Sequence, residues 1–259
     1  MIVSEKYRFI FLHVPKNAGT SIHKALAELP GLKNSWNGKT KHETLAHYVT
    51  SQTRRAFYYS LQNKSWAKSA KGIAFAAARK INLISEFSPD DYYSFGIVRN
   101  PWDRTLSFYN YLKKYRPRPE IDTITDFRHF LEAAREQECP WIKSLHGLKQ
   151  QLSFFTMGNG KINSFIGHYE YLMEDIRIVE ESIGLPIKLG HSNSSGSHLL
   201  DYRKYYTGDM EAIVADLFMD DIKTLGYNFE NRTPSKRISY YTNFMVDDES
   251  LSRLRLNYQ

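Results

Sequence analysis

The most constraining feature of this chain is the stretch Phe9–Ile22, which reads FIFLHVPKNAGTSI. Its apolar run, Phe9–Val14, predicts a short buried strand. A turn follows, marked by Pro15, Asn17 and Gly19. Apolar residues at helical spacing begin at Ile22 and predict a helix. A strand, a loop of small residues and a helix together present backbone N–H groups to a phosphate, so the stretch predicts an anion-binding loop.

The side chains of this loop suit an anion, but they differ from the standard nucleotide loop. Gly19 allows close approach of the backbone, Thr20 and Ser21 add hydroxyl donors, and Lys16 adds a mobile positive charge. The standard P-loop needs Lys directly before Ser or Thr, whereas Gly19 occupies that position here. The loop therefore predicts a phosphate-like anion rather than ATP with magnesium. An ordinary strand–turn–helix with a surface lysine is the alternative.

A second unit of the same kind follows later in the chain. Tyr92–Val98 predicts a buried strand, Arg99 follows it directly, and Pro101 suits the start of a helix. Two such units predict an α/β, three-layer, P-loop-like fold with a central parallel sheet flanked by helices. Ligands bind at the carboxyl ends of such strands, so both loops are expected to open on one rim.

Arg99 at a strand end is expected to hold a phosphate, with Ser107 about two helical turns further on adding a hydroxyl. The alternative is that Arg99 and Arg104 pair with Asp103 or other acids and only tie the helix down. We favour this alternative for Arg104 and anion binding for Arg99.

Three histidines are candidate bases, because imidazole titrates near neutrality and can accept a proton from an alcohol. His42 lies in a polar loop at a predicted helix start and is the best candidate. His13 is expected to be a sheet-face residue beside the loop, and His47 a polar residue with a satisfied partner.

The remaining patterns place further elements around these units. A helix is expected from Thr44, and the following ranges are also predicted: helices Asn63–Arg79, Thr125–Glu136, Leu172–Ile183 and Met210–Leu225, strand Ile162–Tyr171, and the loop-like, aromatic segment Cys139–Gly160. Residues 1–230 are expected to form one domain. The tail 231–259 lacks a core pattern and is expected to be a docked extension, a partner contact or partly disordered.

Composition limits the partners. The net charge of +7 over 259 residues favours anionic ligands. Cys139 is the one cysteine, so no intrachain disulfide forms, and no apolar run is long enough for a transmembrane helix. Motifs of metal sites, serine hydrolases, dinucleotide folds and RNA-binding modules are missing, so neither a metal nor nucleic acid is expected. We therefore expect a cytoplasmic protein, and the pattern leaves its oligomeric state open.

Two of these motifs resemble a known family. The stretch from Phe11 to Ser21 resembles the 5′-phosphosulfate loop of the sulfotransferases, closest to carbohydrate sulfotransferases related to heparan 2-O-sulfotransferase and their bacterial relatives. The stretch from Phe95 to Tyr109 resembles their 3′-phosphate motif. Two stretches show weaker similarity: Phe165–Glu170 with Glu174-Asp175, and Tyr202–Tyr206 followed by Asp221-Ile222 and Gly226-Tyr227. The resemblance then spans about residues 7–230.

The resemblance implies 3′-phosphoadenosine 5′-phosphosulfate as donor, without a required metal. It implies that the following residues hold the 5′-phosphosulfate: Lys16, Asn17, Ala18, Gly19, Thr20 and Ser21. Lys16 would also neutralise the leaving phosphate oxygen, and Arg99 and Ser107 would hold the 3′-phosphate. Ser197, in a Ser-rich loop, would belong to a lid over the nucleotide.

The resemblance also implies a base and an acceptor class. In the 2-O-sulfotransferase branch a histidine after the first helix serves as base, and His42 occupies a comparable position. The acceptor would be a hydroxyl of a carbohydrate, glycoside or glycolipid. Animal members carry an amino-terminal membrane anchor, and its lack here favours a bacterial cytoplasmic enzyme over a glycosaminoglycan-modifying one.

Two other functions fit parts of the pattern. A P-loop kinase for a small molecule also needs a strand–loop–helix, but it needs a Walker-type lysine and magnesium-binding acids as well. A non-catalytic module for nucleotides or acidic glycans could use the same basic residues. Aromatic residues of the middle loops (Trp36, Trp66, Trp141 and Phe154) could stack on sugars, although such residues more often belong to a core.

Overall fold

The fold centres on a five-stranded sheet with the strand order β1-β2-β3-β4-β5. The computed structural model describes residues 1–32, 41–51, 88–116, 119–137, 140–190, 201–237 and 241–250. The strands are β1 (Ile2–Ser4), β2 (Phe9–Leu12), β3 (Tyr93–Val98), β4 (Lys161–His168) and β5 (Tyr241–Met245). The three central strands are parallel to one another, and both edge strands run antiparallel to their neighbours.

The parallel register brings three chain segments to one edge of the sheet. Leu12 lies opposite Gly96, and Val98 lies opposite His168. The loops that follow β2, β3 and β4 therefore leave the sheet at the same carboxyl edge. This confirms the predicted α/β class with parallel central strands, while the finer P-loop-like assignment stays a prediction.

Helices cover both faces of the sheet. They are α1 (Gly19–Ala27), α2 (Pro101–Tyr115), α3 (Pro119–Asp122), α4 (Phe127–Glu136), α5 (Pro140–Lys143), α6 (Leu172–Ile183), α7 (Met210–Leu217) and α8 (Met219–Leu225). Residues 45–51 are also helical, and Thr44 Oγ1 accepts a hydrogen bond from the His47 N–H at its start.

Successive side chains of a strand point to opposite faces, and they divide the core accordingly. Phe9 and Phe11 pack with α1 and α6, whereas Ile10 and Leu12 pack with α2, α4 and α7. The helices thus form a layer on each side of the sheet, and β2 is completely buried between them.

The edge strands complete the sheet from distant parts of the chain. β1 forms a hairpin with β2, and Arg8 in the turn adopts a left-handed φ of 54°. β5 belongs to the predicted carboxyl-terminal extension and pairs with β4 from Lys161 to Phe165. The extension therefore contributes a strand to the sheet; the domain boundary at 230 stays a prediction.

Three predicted segments differ from the structure in detail. The strand predicted over Ile162–Tyr171 ends at His168, and a 3-10 turn follows at Tyr169–Tyr171. The predicted helix Met210–Leu225 is divided at Phe218, whose backbone leaves the helical region (φ −122°, ψ 31°). This break turns the second half so that Asp220 and Asp221 accept hydrogen bonds from Gln150 and Gln151. The predicted loop after Cys139 contains α5 and short 3-10 turns. The predicted helix Asn63–Arg79 lies outside the described residues.

Candidate functional site

The first loop holds its backbone in an unusual conformation. Lys16 and Ala18 have φ values of 69° and 59°, in the left-handed region that non-glycine residues rarely adopt. Left-handed residues in a loop can turn neighbouring backbone N–H groups toward a concave face, and such a face suits an anion. Ala18 is the N-cap of α1 and makes no side-chain cap bond, and the first turn carries no acidic residue. The positive end of this helix is thus left for an external negative charge.

Gly19 is required by the histidine beneath it. A Cβ added at Gly19 would lie 2.3 Å from Cδ2 and 2.4 Å from Nε2 of His13. His13 directly follows β2 and is buried, as expected of a sheet-face residue beside the loop. A larger residue at position 19 would force the loop away from the sheet.

Asn17 ties the first loop to the neighbouring strand. The side chain is buried, and its Nδ2 donates to the Ile97 carbonyl at 2.9 Å and to Gln151 Oε1 at 2.7 Å. The resemblance placed Asn17 among the ligand-binding residues. Its side-chain amide is instead directed into the protein, which leaves its backbone N–H as the group that could face a ligand.

Positive charge gathers around this loop. Lys16 Nζ lies 4.3 Å from the centroid of the Tyr111 ring, and Lys41 Nζ donates to Thr20 Oγ1 at 3.2 Å. Burial, reinforced by the positive charges of Arg99 and Lys41, lowers the pKa of Lys16 to about 8. Neighbouring cations that lower one another's pKa in this way are stabilised by an anion placed between them.

The second loop meets the first. Arg99 Nη1 donates to the Lys16 carbonyl oxygen at 3.2 Å, so both loops do open on one rim as predicted. The guanidinium also lies 4.2 Å from the centroid of the Tyr169 ring and forms a buried ion pair with Asp103, with Nη2 2.9 Å from Oδ1. The pairing with Asp103 that was the alternative for Arg99 is thus present, and anion binding by Arg99 stays a prediction.

The helix after the second loop is capped from within the protein. Asn100 is the N-cap of α2, and its Oδ1 accepts from the backbone N–H groups of Trp102 and Asp103. Glu170 Oε1 accepts the Asn100 N–H at 2.8 Å, and Tyr227 donates to Glu170 Oε2 at 2.9 Å. Burial raises the pKa of Glu170 to about 7, although these hydrogen bonds oppose the shift. Ser107 lies further along α2 and is half-buried.

Arg104 ties the second helix to the first loop. Its fully buried side chain donates from Nε to the Pro15 carbonyl at 3.2 Å and from Nη1 to the Lys149 carbonyl at 3.1 Å. Its partners are backbone carbonyls rather than Asp103. Its role is therefore structural, as the sequence favoured.

His42 is oriented by a backbone carbonyl. Its Nδ1 lies 3.1 Å from the His13 carbonyl oxygen, and the two imidazole rings meet edge-on with centroids 4.7 Å apart. A carbonyl only accepts, so Nδ1 carries the proton and Nε2 keeps a lone pair. Burial is the largest cause that lowers the pKa of His42 to about 4, so the ring is neutral at neutral pH.

The other histidines serve differently. His47 is exposed, and its Nδ1 lies 2.7 Å from Glu43 Oε1, which gives it the satisfied partner that the sequence predicted. His146 is exposed on a 3-10 turn, and its ring centroid lies 6.0 Å from that of His42.

Comparison with known proteins identifies the family of the chain. The model of the sulfotransferase family matches residues 1–258, nearly the whole chain. The chain belongs to the sulfotransferase family. It is also 35% identical over 101 residues to an uncharacterized protein of Archaeoglobus fulgidus, an alignment that covers 39% of this chain and 74% of that protein. No solved structure matches the chain.

Membership makes this sulfotransferase an enzyme that transfers a sulfuryl group, and the described residues are compatible with that activity. Within the described ranges, no group of three or more His, Cys, Asp or Glu side chains is placed to hold a metal ion. In the same part of the chain, no helix has the length and apolar character needed to cross a bilayer.

Gln151 is a residue of this site that the sequence did not predict. It is fully buried in a 3-10 turn of the segment predicted to be a loop, and its side chain contacts both the Lys16–Gly19 loop and the loop that begins at Arg99. A glutamine in an aromatic loop carries no recognisable motif. Its proximity to Asp221 and Arg99 arises only in the folded sulfotransferase.

Some predicted residues are not placed by the structure. Ser197, Trp36 and Trp66 lie outside the described residues. Phe154 is fully buried in the core, so it is not available to stack on a sugar, and Trp141 is half-buried.

Proposed function

We propose that this sulfotransferase moves a sulfuryl group from 3′-phosphoadenosine 5′-phosphosulfate to a hydroxyl of a carbohydrate or glycoside acceptor. The contact that carries the proposal is the hydrogen bond from Arg99 to the Lys16 carbonyl, because it joins two anion loops at one rim. A donor with separate anionic groups at its 5′ and 3′ positions needs two such loops.

The residues present fit this donor. The left-handed backbone at Lys16 and Ala18, the uncapped start of α1 and the absence of a side chain at Gly19 together form a cradle for the 5′-phosphosulfate. Arg99 and Ser107 would hold the 3′-phosphate. When bound, the donor supplies the sulfuryl group and a stable bisphosphate leaving group. A sulfuryl group carries less charge than a γ-phosphoryl group, so hydrogen bonds and lysine can replace magnesium.

The proposed chemistry assigns one role to each of two side chains. His42 Nε2 accepts the proton of the acceptor hydroxyl as the acceptor oxygen forms its bond to sulfur. Lys16 neutralises the charge that appears on the phosphate oxygen whose bond to sulfur breaks in line with that attack. The hydrogen bond from His42 Nδ1 to the His13 carbonyl supports this role, because it fixes the tautomer that a base needs.

Nucleotide binding separates this proposal from a small-molecule kinase. We expect adenosine 3′,5′-bisphosphate to raise the unfolding temperature without magnesium, and Mg-ATP to have little effect. Stabilisation by Mg-ATP alone would contradict the sulfotransferase donor and favour the kinase.

The base is tested by comparing His42→Ala with His47→Ala. His42→Ala should lower turnover about 10²–10⁴-fold, the usual contribution of a general base, and leave bisphosphate affinity nearly unchanged. His47 is exposed and paired with Glu43, so His47→Ala should keep the wild-type rate. Turnover is measured with labelled donor and a panel of glycans and glycosides. Equal rates for the two variants would reject His42 as base.

The same panel tests the acceptor class. The carbohydrate assignment rests on the family resemblance, and acceptor pockets are built from variable loops. Sulfation of a glycan or glycoside hydroxyl is the expected result. Binding of the bisphosphate without transfer to any acceptor would favour the non-catalytic module. A cytoplasmic, bacterial setting stays a prediction of the sequence.

A further inference from the structure

One buried amide joins the two anion loops. Gln151 Nε2 donates to the Arg99 carbonyl oxygen at 2.9 Å, and its Oε1 accepts the Arg99 backbone N–H, also at 2.9 Å. The same Oε1 accepts Asn17 Nδ2 at 2.7 Å. Arg99 begins the second loop and Asn17 lies within the first, so this side chain holds both.

Gln151 is itself held firmly from behind. Its backbone N–H and that of Leu152 donate to the two carboxylate oxygens of Asp221 at 2.6 and 2.9 Å. Asp221 is fully buried, and burial raises its pKa to about 6. The position of the amide is therefore set by α8 and not by either loop.

The preceding glutamine provides a contrast. Gln150 is also buried, but its Nε2 donates to Asp220 at 2.7 Å and its Oε1 accepts the Asp221 N–H at 3.0 Å. These contacts fasten the turn to α8, and among the residues that the structure describes, none of its side-chain hydrogen bonds reaches an anion loop. Two adjacent buried glutamines thus have similar chemistry and different partners.

We infer that Gln151 is a positioning residue that sets the spacing of the two anion loops, so that the 5′ and 3′ anionic groups of one nucleotide are bound as a unit. This inference rests on the proposed donor. A side chain that bonds both loops fixes their separation before the ligand arrives. Preorganisation of this kind removes part of the ordering cost of binding a ligand that spans both sites. A ligand with one phosphate engages one loop and gains little from it.

The test uses the benefit of the 3′-phosphate, defined as the Kd of adenosine 5′-phosphate divided by the Kd of adenosine 3′,5′-bisphosphate. Calorimetry measures this ratio for the wild type, Gln151→Met and Gln150→Met, since methionine matches glutamine in shape but lacks its donors and acceptor oxygen. The ratio should fall about tenfold in Gln151→Met, because the net contribution of a buried hydrogen bond corresponds to about a tenfold change in Kd. It should stay at the wild-type value in Gln150→Met, even if that variant is less stable.

A variant that keeps most contacts guards against misfolding. Gln151→Glu preserves the shape and the acceptor oxygen, but its ionised carboxylate faces the Arg99 carbonyl. Protonation restores the donor, so the ratio should approach the wild-type value as pH falls, in a way that lost packing would not reproduce. If Gln151→Met does not fold, this pH-dependent recovery decides the question.

The outcomes separate this inference from the proposed donor. A wild-type protein that binds the two nucleotides equally would overturn the donor proposal itself. A wild-type protein that prefers the bisphosphate, together with an unchanged ratio in folded Gln151→Met and no recovery in Gln151→Glu, would overturn the positioning role alone.

Discussion

The two strand–loop–helix units of this sulfotransferase look alike in sequence but differ in how their helices begin. α1 starts at Ala18 without a side-chain cap and without an acid in its first turn. α2 starts at Asn100, whose side chain accepts two backbone N–H groups, and Asp103 stands in its first turn. The positive end of α1 is thus unused by the protein, whereas that of α2 is already satisfied.

The basic residues of the two loops show the same contrast between an uncompensated first unit and a compensated second unit. Asp103 compensates the charge of Arg99, while the pKa of Lys16 is depressed by burial and by neighbouring cations. The first unit is therefore suited to a group whose charge changes during reaction. The second is suited to a group that is only held in place. This division supports our proposal, which the family resemblance first implied, that the sulfuryl end of the donor lies at the first loop.

The largest expected effect comes from removing the charge of the first loop. Lys16→Met should lower turnover about 10²–10³-fold, as the loss of one group that stabilises transition-state charge does. The exposed Lys24 of α1 supplies a matched control, and Lys24→Met should keep the wild-type rate. The two variants are compared by their steady-state rates with labelled donor. A similarly small loss of rate in both would contradict a catalytic role for Lys16.

The pH dependence of binding gives an independent check on Lys16. Its pKa is about 8 in the free protein, and a bound anion raises it. Above about pH 7, where the phosphates of the ligand are almost fully ionised, bisphosphate affinity should therefore change little until about pH 8, fall as pH rises through that value, and level off above the pKa of Lys16 in the complex. The fall should disappear in Lys16→Met. A pH profile shared by both proteins would contradict the assignment.

Substitutions in the second loop should have smaller effects than Lys16→Met, and those of Arg99 and Asp103 should act on bisphosphate binding in opposite directions. Replacing Arg99 by Gln together with Asp103 by Asn avoids an unpaired buried carboxylate, and it should weaken bisphosphate binding by about 1.5–3 kcal/mol. Asp103→Asn alone releases the charge of Arg99 and should tighten that binding several-fold.

Calorimetry with the bisphosphate and with adenosine 5′-phosphate measures both changes, and the second ligand should be little affected. The exposed Arg128–Asp209 pair supplies the control through Asp209→Asn. If Asp103→Asn weakened bisphosphate binding instead, the ion pair itself would be part of the binding surface.

The smallest effects should have opposite signs at the two helix starts. Ala18→Gly relieves a left-handed alanine and should raise the free energy of unfolding by up to about 1 kcal/mol. Asn100→Ala removes a cap and should lower it by about 1–2 kcal/mol. Urea unfolding measures the free energy of unfolding of both variants. A loss of stability in Ala18→Gly would mean that the left-handed backbone of Ala18 is not strained.

Local patterns in the sequence were sufficient for the two units themselves. The apolar run of β2, the Pro and Gly of the first loop and the helical spacing after Arg99 each lie within a few residues, so their physics is readable along the chain. The same holds for α6, whose predicted bounds match the structure. His42 was the best candidate base because it lies in a polar stretch at a helix start and because the family resemblance places a histidine there; its role stays a prediction.

Only the tertiary structure decided how these parts cooperate. The pairing of Asn17 with Ile97, the carbonyl that orients His42 and the amide of Gln151 all join residues far apart in sequence. The break at Phe218 likewise depends on buried partners that Asp220 and Asp221 meet only after folding. Periodicity reports which face of an element is apolar, but buried polar groups choose partners by geometry across elements. The sequence alone therefore predicted two loops on one rim, and the fold determined which buried groups join them, with one helix start left open and the other closed.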